Sequence, residues 1–126
     1  MKLNPDCIRD ILLTVEENTD HQRRMVYHKG DKFPLLNSYC SNEVVYHIQQ
    51  CDYAGYFIGF QKYIGGAYRI NDLSPKAHEF LANIRSDENW AETKVIAEKS
   101  GSLSIPILQS VASSLIVKAI ETTMGM

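Results

Sequence analysis

Apolar residues recur at the helical interval in four stretches of the chain and alternate with polar ones in a fifth. Ile8, Ile11, Leu12 and Val15 fall at i, i+3, i+4 and i+7, the spacing of one buried helical stripe. Ahead of them, Asn4-Pro5-Asp6 supplies a cap, a first-turn proline and an acid at the positive end of the helix dipole. Asp20 to Tyr39 is irregular, with room for a short strand at Met25-Val26-Tyr27. A second helix is predicted with Ser41 as its cap, Val44, Ile48 and Cys51 facing inward, and Gly55 as its left-handed stop. Tyr56 to Tyr63 reads as a strand, Ile64-Gly65-Gly66 as a turn and Ala67 to Leu73 as the returning strand. Ser74-Pro75 opens a third helix with Ala77, Phe80, Leu81 and Ile84 on one face. Glu88 to Lys99 continues as a charged helix carrying the only tryptophan, Trp90, and a last helix runs from about Ser104 to Thr123.

These elements define an α+β class, and 126 residues make one domain's worth of chain. The expected division is a core with its hairpin over 1–73 and a helical extension over 74–126. With 44 % hydrophobic and 22 % charged residues, the chain can build a core without metal or disulfide staples. Cys7, Cys40 and Cys51 are an odd number with no C-x-x-C spacing, and the first residues lack the plan of a secretory signal. Both features point to a reducing cytoplasm and free thiols. The apolar run at Leu103 to Ile120 is interrupted by Pro106, Gln109, serines and Lys118, so no membrane partner is expected. Its apolar side is nevertheless too wide for one neighbour. That leaves two readings, packing across its own domain or a homodimer seam.

Helix, capped helix ending in glycine, then β-hairpin is the order of a winged helix-turn-helix. The stretch SNEVVYHIQQCDYAGYF, residues 41–57, resembles the recognition-helix-into-wing segment of many bacterial regulators. More narrowly, the chain is similar to an uncharacterised family of short proteins from phages and Gram-positive bacteria, a domain of unknown function. PDCIRDILLTVEE, EVVYHIQ, INDLSPKAHEFLANIRSDENW and SGSLSIPIL carry that resemblance over most of the length. What it implies is a winged-helix-like core with added C-terminal helices, of phage or prophage type. One feature departs from a full helix-turn-helix: Gly30 to Tyr39, with Pro34, is a poor candidate for the positioning helix.

If double-stranded DNA is the partner, chemistry assigns the roles. With Val44, Ile48 and Cys51 buried, the helix turns Asn42, Tyr46, His47, Gln49 and Gln50 outward. Asn and Gln can pair bidentately with adenine, and Tyr and His can reach phosphates. Residues 21–70 hold six basic and three acidic groups, whereas the flanking blocks are net acidic. Lys62 and Arg69 flank the hairpin tip as expected phosphate contacts. The alternative is a protein-protein interaction module, for instance one that binds a host protein.

No cofactor is expected. His28, Cys40, His47 and Cys51 match no zinc spacing, and His78-Glu79 lacks the second histidine of a zincin. Nucleophile elbow, P-loop and dinucleotide fingerprints are absent from the sequence. An enzyme is therefore not expected.

Overall fold

The computed structural model describes residues 1–125. The chain divides into two compact units, Met1–His78 and Glu79–Met126, with the division inside a helix.

The first unit begins with α1 (Pro5–Asn18). The Asn4 side chain accepts from the Asp6 and Cys7 amides, so the predicted cap is formed. The stripe Ile8, Ile11, Leu12 and Val15 is buried, joined by Cys7 and Thr14. β1 (Met25–His28) follows, with Met25 and Tyr27 inward. Where a positioning helix would stand there is a single 3-10 turn, Pro34–Leu36, that buries Leu36 and packs on α1. Proline opens that turn because it needs no amide there, and the segment is too short to continue as a helix.

α2 (Ser41–Tyr53) buries Val44, His47, Ile48 and Cys51 against the first unit's core. Its cap is Cys40, one residue earlier than the sequence predicts, and the Cys40 side chain makes no capping bond. The predicted stop is present. Gly55 sits at φ +80°, the Gly55 amide donates to the Asp52 carbonyl and the Tyr56 amide to the Cys51 carbonyl. That is a Schellman closure.

The hairpin is interrupted where the sequence predicts continuous strands. Phe57–Ile58 (β2) pairs antiparallel with Asp72–Leu73 (β5), and Gln61–Tyr63 (β3) pairs antiparallel with Ala67–Ile70 (β4). Gly59 breaks the first strand at φ +68°, and a Cβ there would overlap the Asn71 side-chain amide. A period-2 pattern reads straight through such a break, because the following residues keep alternating. β1 adds to the far side of the hairpin, giving the order β1-β4-β3. Tyr68 and Ile70 face the core.

α3 (Pro75–Ile84) starts at Ser74, whose hydroxyl accepts the Ala77 amide and donates to the Gly55 carbonyl. In the second unit, α4 (Asp87–Lys99) is capped by Ser86 and buries Trp90, Thr93 and Ala97. The Trp90 ring meets Phe80 edge-on. α5 (Ile105–Thr123) packs on α4 yet buries only Ile105, Leu108 and Ala112. Pro106 and the serines do not shorten it, since Pro106 lies in the first turn. By length and composition α5 is long and apolar enough to cross a membrane.

Candidate nucleic-acid interface

α2 has two chemically distinct sides, and the division differs from the expected one at a single position. Asn42 is exposed, Tyr46, Gln49 and Gln50 are half-buried, and Tyr53 at the end of the helix is 75 % exposed. These polar groups lie on the side away from Val44, Ile48 and Cys51.

His47 does not belong with them. It is fully buried, its Nε2 accepts the Asn4 backbone amide at 2.8 Å, and its Nδ1 lies 2.7 Å from the Glu43 carbonyl. The two bonds together require a proton on Nδ1 and a lone pair on Nε2. The ring is thus a fastener between the start of α1 and the middle of α2. Asn4 doubles the link by donating from its side-chain amide to Glu43 Oε2 at 3.2 Å.

The hairpin separates the two cations assigned to it. Lys62 pairs across from Tyr68, and Arg69 pairs across from Gln61 on one side and Val26 on the other. Facing residues in a ladder share a side, so Lys62 lies on the Tyr68 side of the sheet and Arg69 on the opposite one. Lys62 is exposed on the edge strand. Arg69 instead occupies the middle of the central strand. It is half-buried, its guanidinium lies 6.0 Å from the Tyr63 ring centroid, and its Nε is buried with no hydrogen-bond partner among the described residues. The expectation that both flank the tip is corrected by this register: only Lys62 is presented freely.

Two features of the hairpin end were not foreseen. Lys29 donates its backbone amide to the Gly66 carbonyl at 3.1 Å, which brings a second lysine beside the tip. Ile64 is fully exposed there. The link to Lys29 joins residues distant in sequence, so composition could not reveal it. The exposure of Ile64 follows from its place in a turn, which the pattern did contain.

The interior around α1 and α2 is chemically quiet. Burial pushes the Cys7 thiol up to about 12, and the nearby Glu43 and Asp10 carboxylates act in the same direction. Cys51 is raised well above the ordinary thiol range by burial. Tyr39 is also raised, by burial and by donating to Asp10 Oδ2 at 2.7 Å. Thiols held protonated are poor nucleophiles and poor metal ligands. Cys40 is the exposed one, beside a polar cavity of about 260 Å³ between the β1–α2 connection and the start of α2. Among the described residues no three His, Cys, Asp or Glu side chains gather as a metal-ligand set.

Comparison with known sequences adds a family to this geometry. The model of the family described as "Hypothetical protein (DUF2513)" matches residues 2–104. The chain belongs to this family. The matched stretch of the DUF2513 chain covers every element through α4 and ends one residue before α5 begins. No curated protein and no solved structure matches the chain.

Proposed function

We propose that this DUF2513 chain is a non-enzymatic winged-helix-like module whose first unit binds double-stranded DNA. Asn42, Tyr46, Gln49 and Gln50 face base edges, and Lys62 faces phosphate. The reading is supported by the element order α1, β1, short turn, α2, hairpin, with β1 joining the returning strand. The observation that carries it is the outward side of α2, which offers amide and phenol groups of the kind that read a major groove. α2 also holds Glu43 and Asp52 and no lysine or arginine, so backbone affinity falls to the hairpin and the loops. That makes the expected binding modest and strongly dependent on salt.

The test is anisotropy with a labelled mixed-sequence duplex at two salt concentrations. Binding should weaken as salt rises, and Lys62→Ala should lower the salt slope by about one unit. Gln49→Ala with Gln50→Ala should flatten discrimination between sequences and leave the slope unchanged. A wild-type chain that ignores duplex at low salt would sink the assignment.

A second reading is favoured by α5. Val117 and Ile120 are each 52 % exposed and Met124 65 %. Contiguous apolar surface of this kind marks an association face. We propose self-association through α5 as the way two such modules are paired, which suits a two-fold related DNA site.

A further inference from the structure

We propose that the hairpin tip is an apolar wedge for the minor groove of A·T-rich duplex DNA, with Ile64 as the inserted side chain; this rests on the DNA-binding reading above. The tip is a three-residue connection, Ile64-Gly65-Gly66, between the paired residues Tyr63 and Ala67. Both glycines lie at positive φ, +98° and +87°, so the chain reverses tightly and the first residue of the turn is pushed outward. Ile64 leaves its whole side chain in solvent. Polar residues and glycine ordinarily fill such turns, and each has a conformational reason to be there. Isoleucine has none.

The tip is braced as well as exposed. The Gly66 carbonyl accepts the Lys29 amide, which ties the turn to the end of β1, and Tyr63 lies beside the Arg69 guanidinium. An apolar residue on a braced projection can push between base steps, whereas one on a loose loop would fold back. The charges near Ile64 fit a polyanion. Lys62 and Lys29 are exposed on the two strands next to it. The nearest acid in sequence, Asp31, is occupied by the His28 amide at 2.8 Å and lies 3.4 Å from the His28 ring. An aliphatic wedge flanked by cations matches the minor groove, where inserted Ile, Leu, Phe, Met or Pro unstack a step and kink the duplex by roughly 20–90°. A·T-rich sequence with flexible TA steps lowers the cost of that kink.

The experiment is energy transfer between dyes at the two ends of an A·T-rich duplex, with a G·C-rich duplex alongside, using the full chain. Wild type should shorten the end-to-end distance of the A·T-rich duplex more than that of the G·C-rich one. Ile64→Ser should lose the bend while keeping the salt slope, since no charge changes, and Ile64→Leu should retain it. Ile64 touches no core, and circular dichroism of each variant verifies the fold. Binding without bending, or a bend that survives Ile64→Ser, overturns the wedge and leaves the DNA reading standing. Failure of wild type to bind either duplex overturns both.

Discussion

α1 and α5 are both apolar helices with a proline in the first turn, and the protein uses them in opposite ways. α1 has fourteen residues and buries seven, whereas α5 has nineteen and buries three. The α1 sequence concentrates its apolar groups on one stripe, and α2, β5 and the 3-10 turn cover that stripe. The α5 sequence is the more apolar of the two and spreads that character around the helix, so one neighbour covers only part of it. Total hydrophobicity says how much surface seeks cover. Its angular distribution says whether a single chain can provide that cover.

Core truncation gives the sharpest contrast. Leu12 is fully buried in α1, and Leu12→Ala should cost about 2–5 kcal/mol in urea unfolding. Ile120→Ala should stay within about 0.5 kcal/mol at low protein concentration. Equal losses would mean that α5 is as firmly seated as α1.

Next comes the fastener between α1 and α2. His47→Ala leaves the Asn4 amide without its acceptor and should cost about 1–3 kcal/mol. Asn4→Ala removes the helix cap and the Glu43 contact while keeping the backbone bond to His47, and should cost about 1 kcal/mol. If His47→Ala unfolds no more easily than wild type yet abolishes DNA binding, the imidazole is a contact residue after all.

Alkaline pH probes the same interior. Cys7, Cys51 and Tyr39 are all raised in the fold. Each therefore stabilises fully below its unfolded value, and that contribution fades as pH climbs from about 9 toward the folded value. The urea midpoint should fall over that range. Alkylation near neutral pH, read by mass spectrometry, should modify Cys40 before Cys7 or Cys51; prompt labelling of Cys7 would contradict the burial of α1.

The smallest effect on stability belongs to Ile120→Ser, which should leave the urea midpoint nearly unchanged. Its readout is mass. Light scattering should show less self-association than wild type, and identical mass at all concentrations would remove α5 as the pairing face.

Much of this architecture was legible because local signals agreed with one another. Asn4-Pro5 and Ser74-Pro75 start helices where expected, and Gly55 ends one. The α+β class is as read. His47 was misplaced by residue type and not by spacing. Positions 44, 47, 48 and 51 make a complete inward stripe, but a histidine within it reads as polar until its two partners are known. Those partners, the Asn4 amide and the Glu43 carbonyl, are backbone groups that no side-chain pattern reveals. Lys62 and Arg69 failed for another reason. Which side of a ladder a residue faces depends on register, and register here was set by the turn together with the break at Gly59. Alternation alone cannot count across such a break.

The boundary at residue 104 has one more consequence. A helix that contributes little to the packing of the rest can accept new side chains without unfolding what precedes it. α5 can therefore drift in sequence under a different pressure from the preceding hundred residues. Related chains could keep a common reading head while changing the company that their tails select.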